Sequence, residues 1–571
     1  FPGGYDLCLQ INTGPDMIDI VKITIMNTNE IIEVPAGTTL SYIADKTEHG
    51  LKYPVIGALV NNTLKELSFP VISESDVEFI DRTCGNGLNI YIRSLIFVLC
   101  KAVNDLFPKS KLYVLHTISK GYYCELTDYE GNNLLDSQKI FDLKARMKKV
   151  IEDNYPFERH KLRTEEAVRQ FLDQGLDDKE LILRQRNRIY TSVYRFDGIV
   201  NYLYGYLTPS TGSLTVFNLV KYYDGMLLQV PSASEPDKIV EQTPQNKLFE
   251  IINEHSKWAK LLDSENVGKL NQHILDKKAG ELIKIAEALH EKKVAYISDR
   301  ITERKDVRLV LISGPSSSGK TTFSKRLSIQ LQVSGLKPLV ISLDDYFVDR
   351  EFTPKDANGE YDFESLKAID VKLFNSHLLK LFNGEEVEIP KFDFQTGKRT
   401  PGPKMKCGSE NIILVEGIHA LNPDLTPLIE SSMKFRIYVS ALTQISIDRH
   451  NRIPTTDNRL IRRIIRDYNY RGHSALATLK RWPSVRAGEE KNIFPYQEEA
   501  DIMFNSALLY EFSVLKQFAE PIIKEVPENE KEYSEAQRLL KFMSFFLPIV
   551  NEDIPNTSII KEFIGGSSFE Y

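Results

Sequence analysis

A glycine- and serine-rich turn separates an apolar stretch from a helix-like stretch in "LVLISGPSSSGKTTFSKRL", residues 309–327. The spacing predicts a strand over 307–312, a turn over 314–321 and a helix over 322–333. The turn fits G-x-x-x-x-G-K-[ST], in which backbone N–H groups and a helix N-terminus hold phosphate. Lys320 would reach the β- and γ-phosphates of a nucleotide, and the Thr321 hydroxyl would bind Mg²⁺. The predicted phosphate-binding residues are Gly314, Ser316, Ser317, Ser318, Gly319, Lys320, Thr321 and Thr322.

Carboxylates follow two further apolar stretches. "KPLVISLDDYF" contains Asp344 and Asp345, and "NIILVEGIHAL" contains Glu416. In an open parallel sheet, residues at the carboxyl ends of strands line the ligand crevice, so we expect all three to gather near the phosphates. Carboxylates can hold Mg²⁺, and one of them can serve as the base for an acceptor hydroxyl. Helix capping is the alternative role for any one of them taken singly.

Four arginines recur at i, i+3, i+4 and i+7 in "DNRLIRRIIRDYNYRGH": Arg459, Arg462, Arg463 and Arg466. This pattern predicts an amphipathic helix with one cationic side. An arginine helix can close over a nucleotide, exclude water and neutralise the transferring phosphoryl group. A solvated basic face or an RNA-binding patch is the alternative. The phosphate-binding turn in the same predicted domain favours the lid.

The whole chain sets broader limits. Its 571 residues exceed what one core serves, so three or more domains are expected. A net charge of -7 gives no global reason to expect nucleic acid binding. Five scattered cysteines argue against a disulfide framework and fit a reducing cytoplasm. No apolar run is long enough to predict a membrane span, and residues 1–16 resemble a leader or a cloning remnant.

Six motifs occur in order after residue 308: "GPSSSGKT", "SLDDYF", "YDFESLKAID", "IPKFDF", "LVEGIHAL" and "RRIIRDYNYRG". With them, residues 308–521 resemble the uridine kinase and phosphoribulokinase family of P-loop kinases. The resemblance implies a doubly wound parallel sheet over 306–525, with ATP and Mg²⁺ as cofactors. It implies that Asp344 activates the acceptor hydroxyl and that Thr321, Asp344 and Glu416 serve the metal. The implied catalytic arginines are Arg463, Arg466 and Arg471, and the implied substrate contacts are Phe347, Tyr361, Phe363, Phe392 and Phe394.

Several positions depart from the uridine kinase pattern. Gly397 stands where a histidine normally contacts the pyrimidine, Phe347 replaces a tyrosine, Glu364 replaces an aspartate beside the sugar, and His473 replaces a lid arginine. Lost polar contacts to the base lower discrimination between substrates. The expected activity is therefore phosphorylation of a nucleoside or related small molecule. A sugar or sugar-phosphate kinase is one alternative, and a nucleotide-switched RNA- or ribosome-associated factor is another.

The N-terminal part has a different character. "VKITIMNTNEIIEVPAGTTLSYIA" predicts two alternating strands around a turn and a helix capped near Thr38 or Thr39. Residues 17–82 resemble the TGS domain, a β-grasp module of threonyl-tRNA synthetases. Residues 83–235 resemble the second, editing domain of those synthetases, an α+β fold, through "SLIFVLCKAVNDLFPKSKLYVLHTISKGYYCEL", "EEAVRQFLDQG" and "LTPSTGSLTVFNLVKYYDGM".

The editing chemistry of that family requires two histidines on one helix and a later cysteine and histidine. Aligned through the shared motifs, these four positions hold Arg93, Phe97, Leu203 and Leu207. None of them offers a metal ligand or a base near neutral pH. The resemblance therefore implies a retained scaffold that binds or docks, with RNA as one partner. Homo-oligomer formation is left open.

Two segments connect and follow these regions. Residues 236–305 are rich in Lys, Glu, Gln and Asn, with leucines at helical spacing, and predict a helical connector. Residues 526–571 contain the helix-like "EAQRLLKFMSFFLPIV" and predict a C-terminal helical tail. Neither segment carries a motif that points to chemistry.

Overall fold

The computed structural model describes residues 19–355, 359, 361–550 and 553–570. The predicted leader, residues 1–16, lies outside the described residues, as does the start of the predicted TGS-like module. The architecture is mixed α/β with several sheets, as the sequence predicted.

The N-terminal module is a mixed sheet packed on one helix. Its strand order is β2-β1-β7-β4-β5, and β1 pairs with β7 in parallel at the centre. Thr39 caps α1 by accepting a hydrogen bond from the Tyr42 N–H at 3.4 Å, so the predicted capping site is confirmed. Ile23 and Ile43 lie in its core. The elements are β1 (Ile20–Ile25), β2 (Glu30–Pro35), β3 (Thr38–Thr39), α1 (Leu40–Lys46), β4 (Gly57–Val60), β5 (Thr63–Lys65), β6 (Pro70–Val71) and β7 (Ser75–Ile80).

The second module contains two antiparallel sheets, ordered β13-β14-β9-β8 and β10-β11-β12, around a long helix. Within the described ranges, this helix, α2, alone is long and apolar enough to cross a membrane, and 72% of its most apolar window is buried inside the protein. The elements are α2 (Gly85–Leu106), β8 (Lys111–Ile118), β9 (Gly121–Thr127), α3 (Ser137–Glu152), β10 (Glu158–Arg163), α4 (Thr164–Asp173), α5 (Asp177–Gln185), β11 (Tyr190–Phe196), β12 (Ile199–Asn201), β13 (Asn218–Tyr222) and β14 (Gly225–Gln229).

The predicted helical connector forms three helices. They are α6 (Asn246–Leu261), α7 (Val267–Leu275) and α8 (Ala279–Thr302). Leu282 and Ile297 of α8 share one core with the central sheet of the C-terminal region. Leu248 and Phe249 of α6 pack in a separate cluster that joins Tyr123 of the second module to Tyr438.

A five-stranded, wholly parallel sheet organises the C-terminal region. Its order is β16-β19-β15-β20-β23, with the phosphate-loop strand β15 at the centre. The predicted doubly wound sheet is thereby confirmed. The elements are β15 (Leu309–Ser313), α9 (Lys320–Val333), β16 (Lys337–Ser342), α10 (Val371–Phe382), β17 (Glu386–Asp393), β18 (Lys398–Lys406), β19 (Asn411–Glu416), β20 (Lys434–Ser440), β21 (Ser446–Asp448), β22 (Asn451–Arg452), α11 (Thr455–Arg471), α12 (Ala475–Asn492), β23 (Ile502–Asn505) and α13 (Glu511–Ile523).

The end of the chain folds back onto this sheet. It contains α14 (Tyr533–Met543) and the short α15 (Lys561–Ile564). Ile559, Ile560 and Phe563 are fully buried and belong to the same core as Phe323 of α9. The predicted C-terminal tail is therefore a packed part of the C-terminal region.

The second module and the C-terminal region share a buried ion pair. Lys179 Nζ of α5 lies 2.9 Å from Asp448 Oδ1 of β21, and both side chains are fully buried. Beside it, the Arg449 backbone N–H donates to the Asp178 carboxylate at 2.6 Å. Charged groups of this kind are kept out of water only when they are paired, so the two regions fit each other closely at this junction.

Candidate active site

The backbone of the phosphate loop requires glycine at two positions. Gly314 has a φ of +157°, and a Cβ there would lie 1.9 Å from the carbonyl oxygen of Val439. Gly319 adopts a left-handed conformation with a φ of +80°, immediately before α9 begins at Lys320. Because only glycine tolerates both constraints, the loop bends tightly enough to aim backbone N–H groups into one concavity.

All eight predicted phosphate-loop residues lie in this turn or in the first turn of α9. The hydroxyl oxygens of Ser317 and Ser318 are buried and have no hydrogen-bond partner among the described residues. Lys320 Nζ donates to the carbonyl oxygen of Pro315 at 3.1 Å. Burial lowers the pKa of Lys320, and Glu416 and Asp344 oppose that shift. The loop thus offers hydroxyl donors and a cation to an anionic ligand.

Two of the three predicted carboxylates face the lysine. Ser342 of β16 and Glu416 of β19 are register partners, and the Ser342 hydroxyl donates to Glu416 Oε1 at 3.0 Å. Asp344 follows in a short 3₁₀ turn, Leu343–Tyr346. Burial and, to a smaller extent, the nearby Asp344 carboxylate together raise the pKa of Glu416 to about 7, and Lys320 opposes the rise. A cation bound here would relieve both effects.

Asp345 departs from the expectation that all three carboxylates gather at the phosphates. Its Oδ1 accepts a hydrogen bond from the Phe392 N–H at 3.2 Å and lies 3.5 Å from Lys391 Nζ. The 3₁₀ turn directs successive side chains to different sides, so Asp345 fastens the β17–β18 hairpin while Asp344 stays beside the loop.

The donor set fits Mg²⁺. Thr321 carries a hydroxyl in the first turn of α9, and the Asp344 and Glu416 carboxylates lie near enough to Lys320 to affect its pKa. In the described part of the chain, no group of three or more His, Cys, Asp or Glu residues is arranged to hold a metal ion. A nucleotide site satisfies Mg²⁺ with one or two carboxylates, water and the substrate phosphates, so a larger protein cage is not required.

The arginine helix α11 is largely buried, unlike the solvated cationic face considered from sequence. Arg459 and Arg462 are almost inaccessible to solvent. Arg459 Nη2 donates to Glu489 Oε2 at 2.7 Å, and Arg462 Nε donates to Glu511 Oε2 at 3.0 Å. Both guanidiniums are therefore structural partners of buried carboxylates and do not belong to a cationic surface.

The other arginines converge on one carboxylate. Arg463 Nε and Arg466 Nη2 lie 3.2 Å and 2.8 Å from the Asp467 carboxylate, and Arg471 Nε lies 3.8 Å from it. Burial acts to raise the pKa of Asp467, but the arginines hold it below its usual value. Arg463 also donates to the Ser316 hydroxyl of the loop at 2.8 Å. The three predicted arginines are thus held together beside the loop, with more positive than negative charge.

The five predicted substrate-contacting residues form one aromatic cluster. The Phe392 ring lies 5.6 Å from Phe347 and 5.2 Å from Phe394, between ring centroids. Phe347 and Phe363 are 6.3 Å apart, and Tyr361 extends the cluster from Phe363 at 5.9 Å. Phe347 directly follows the turn that carries Asp344, so the cluster adjoins the proposed base.

Gly397 and Glu364 are two of the residues that depart from the uridine kinase pattern. Gly397 lies in the β17–β18 turn with a φ of +71°, and its carbonyl oxygen accepts from the Arg350 N–H at 2.9 Å. Glu364 is half-buried, and its Oε2 has no hydrogen-bond partner among the described residues. Burial raises its pKa to about 7, and Arg463 opposes the rise.

Two glutamates contact the loop although the sequence patterns did not predict them as site residues. Glu489 of α12 accepts from the Ser316 N–H at 3.2 Å and from Arg486 Nη1 at 2.8 Å. Glu562 of α15 accepts from the Thr322 N–H at 3.2 Å and from its hydroxyl at 2.6 Å. The i, i+3 spacing of Arg486 and Glu489 is visible in the sequence. Nothing near Glu562 in the sequence indicates its contact with the loop.

The four positions aligned with editing residues lie in or against a core. Phe97, Leu203 and Leu207 are buried in the core of the second module. Arg93 Nη1 donates to the Tyr206 carbonyl oxygen at 2.7 Å, and burial lowers its pKa to about 10. These side chains provide packing and no group that activates water.

The sequence similarities agree with this geometry. Residues 309–509 match the model of the Phosphoribulokinase / Uridine kinase family. The C-terminal region contains a domain of that family. The uridine kinase of Schizosaccharomyces pombe is 31% identical to the chain over 180 residues, which cover 31% of this chain and 36% of that protein.

The N-terminal region has a separate relationship. It is similar to threonine–tRNA ligases, including that of Desulforamulus reducens, with 28% identity over 229 residues, 38% of this chain and 35% of the ligase. The chain thus spans about a third of the length of these curated relatives. The structure of a possible uridine kinase from Bacillus stearothermophilus is also similar, with 18% identity and a TM-score of 0.27, covering 38% of this chain and 98% of that one. Both predicted family resemblances are confirmed.

Proposed function

We propose that this protein transfers the γ-phosphate of ATP, in the presence of Mg²⁺, to a hydroxyl group of a nucleoside or a related small molecule. The observation that carries the proposal is the juxtaposition of Lys320, Asp344 and Glu416 at the carboxyl edge of the parallel sheet. The phosphate loop supplies the place for the nucleotide, and the carboxylates supply a base and metal ligands.

Each residue has a distinct role in this proposal. Asp344 accepts the proton of the acceptor hydroxyl as that oxygen attacks the γ-phosphorus. Lys320 offsets negative charge on the β- and γ-phosphates, and Arg463 and Arg466 neutralise the transferring group. Thr321, Asp344 and Glu416 are the residues that would hold Mg²⁺, which would supply positive charge to offset the negative charge of the phosphates.

The aromatic cluster supports a nucleoside-like acceptor. Its rings offer faces for stacking, while Gly397 offers no side chain to hydrogen-bond a base. Arg471 and Arg481 flank the same cluster, at 5.2 Å from the Phe394 ring and 5.9 Å from the Phe363 ring. Those two cations favour a sugar phosphate as the second candidate acceptor, because guanidinium groups bind phosphate well.

For the N-terminal region we propose a docking role, with RNA or a second subunit as partner. The support is the retained fold combined with the buried apolar side chains at the positions aligned with editing residues. We also propose a cytoplasmic location and the predicted domain division at 82, 235, 305 and 525. When the full chain is offered mischarged threonine-type tRNA, no deacylation above the uncatalysed rate is expected, and deacylation would refute the docking role.

The test of the kinase proposal is mass-spectrometric detection of product from ATP, Mg²⁺ and a mixed panel of nucleosides, sugars and sugar phosphates. Lys320→Ala should abolish product formation because it removes the charge that meets the phosphates. The matched control, Lys337→Ala, removes an exposed lysine paired with Glu410 at 2.6 Å and should leave turnover unchanged. Nucleotide-dependent RNA binding without any phosphorylated product would favour the switched-factor alternative and contradict the kinase proposal.

A further inference from the structure

The last segment of the chain, residues 553–570, lies directly on the phosphate loop. The Glu562 carboxylate accepts the Thr322 backbone N–H at 3.2 Å and the Thr322 hydroxyl at 2.6 Å. Thr322 lies in the first turn of α9, where the positive end of the helix dipole attracts an anion. The protein's own carboxylate therefore occupies a position that this loop geometry offers to phosphate.

Further contacts of the same segment pack it against the loop and against α11. Ile559 packs so closely on Gly319 that a Cβ on that glycine would lie 2.6 Å from Ile559 Cγ2. The Phe563 ring lies 5.1 Å from the Arg462 guanidinium, and the Phe563 carbonyl oxygen accepts from Asn469 Nδ2 at 3.2 Å. The segment therefore covers the side of the loop between α9 and α11.

A buried network fixes the start of the segment to the connector. Glu287 of α8 accepts hydrogen bonds from the Ser558 hydroxyl and from the Tyr510 hydroxyl, the latter at 2.7 Å. Glu287 and Ser558 are both buried, so this attachment is protected from water. Glu562 is only half-buried, so the contact with the loop is the more accessible of the two attachments.

We propose that residues 554–566 form an autoinhibitory plug, in which Glu562 takes the place of a nucleotide phosphate and must leave before ATP can bind. The proposal deepens the proposed function, and its physiological meaning rests on that function. Two anions cannot share the Thr322 donors. A carboxylate and a phosphate that are both within hydrogen-bond distance of Thr322 would repel each other in this partly buried site. The apparent nucleotide affinity then equals the affinity of the open molecules multiplied by the fraction of molecules that are open, so it is low when the plugged state predominates.

The experiment measures equilibrium binding of the non-hydrolysable analogue adenylyl imidodiphosphate, with Mg²⁺, to the full chain. Glu562→Gln keeps the shape of the side chain and removes its charge, and Glu562→Ala removes the contact altogether. Both variants should bind the analogue about tenfold or more tightly than the natural chain, as expected when about nine-tenths of the molecules are plugged. Glu570→Gln, an exposed glutamate in the same segment, is the matched control and should bind like the natural chain.

Hydrogen exchange of residues 554–566 provides a second readout. The analogue should increase exchange there in the natural chain, and Glu562→Gln should show increased exchange without it. Unchanged or weaker binding by both variants, no binding by any chain, or nucleotide-induced protection of the segment would each overturn the plug. Because binding needs no turnover, tighter binding without any phosphorylated product upholds the plug and refutes the kinase proposal. Phosphorylated product together with unchanged analogue binding by both variants upholds the kinase proposal and refutes the plug.

Discussion

Arg459 of α11 and Glu489 of α12 form a buried ion pair directly behind the phosphate loop, with Nη2 2.7 Å from Oε2. Glu489 also accepts the Ser316 N–H at 3.2 Å, so the pair links the arginine helix to the loop backbone. Burial acts to raise the pKa of Glu489, but Arg459 and Arg486 hold it below its usual value. The pair therefore positions the loop and keeps Glu489 ionised.

Removing Arg459 should lower stability strongly. Arg459→Ala leaves a buried carboxylate with only part of its charge compensation, and the free energy of unfolding should fall by about 3–5 kcal/mol. Urea unfolding followed by circular dichroism measures the change. The control is Arg300→Ala, which breaks an exposed pair with Glu303 and should cost less than about 1 kcal/mol. A similar small loss for both variants would contradict the structural role of Arg459.

Asp344 and its neighbour Asp345 provide a matched test of the catalytic base. Asp344→Asn should lower turnover by about two to four orders of magnitude while nucleotide binding survives, as expected for a positioned base. Asp345→Asn should change turnover only a few-fold, because this side chain contacts Lys391 and the Phe392 N–H. Steady-state kinetics and nucleotide titration measure both effects. Equal losses from the two variants, or loss of nucleotide affinity alone in Asp344→Asn, would be incompatible with the assignment.

Arg463 and Arg466 should act on the phosphoryl group. Charge reversal at either residue should reduce turnover by about one to three orders of magnitude, because positive charge beside the transferring group is lost. Arg436→Glu is the control, because Arg436 lies near the amino end of β20, where its Nη2 donates to the Ser431 hydroxyl at 3.0 Å. If these arginines bind only RNA, the variants will keep normal turnover and show a shallower salt dependence of RNA affinity.

Glu364 should make stability depend on pH. Its pKa is raised from 4.5 to about 7, chiefly by burial, so the folded protein binds a proton that the unfolded chain has lost between these values. Stability should therefore fall as the pH rises from about 4.5 to 7, and remain lower above that range. Glu364→Gln should flatten this part of the profile, whereas Glu351→Gln, at an exposed position, should not. Thermal unfolding across that pH range measures the difference, and parallel profiles for Glu364→Gln and the natural chain would show the expectation to be wrong.

The phosphate loop could be predicted because its determinants are local. Gly314, Gly319 and Lys320 fall within seven residues, and the apolar strand and helix that flank them are visible in the same stretch. The convergence of Asp344 and Glu416 also followed, since strand ends in a parallel sheet meet at one edge. The opposite directions of Asp344 and Asp345 did not follow, because a 3₁₀ turn at the strand end decides them.

Contacts between distant residues escaped prediction. The partners of Arg459 and Arg462 lie 30 and 49 residues away, and only tertiary packing brings them together. A helical repeat of arginines therefore suggested a cationic face, although two of them neutralise buried glutamates. Glu562 contacts a residue 240 positions earlier, and its sequence neighbourhood has no motif. Periodicity reports which face of an element is apolar, but it carries no information on which distant charge completes a pair.

The buried Lys179–Asp448 pair stays out of water only while the two halves of the chain remain joined and packed together. A C-terminal fragment produced without residues 83–235 would expose Asp448 and the apolar surface around it to water, and the N-terminal fragment would expose Lys179. Each fragment would expose to water an aggregation-prone apolar surface that carries an uncompensated charge. Rate constants obtained with such a fragment would describe a different molecule, so the intact polypeptide is the appropriate unit for enzymology.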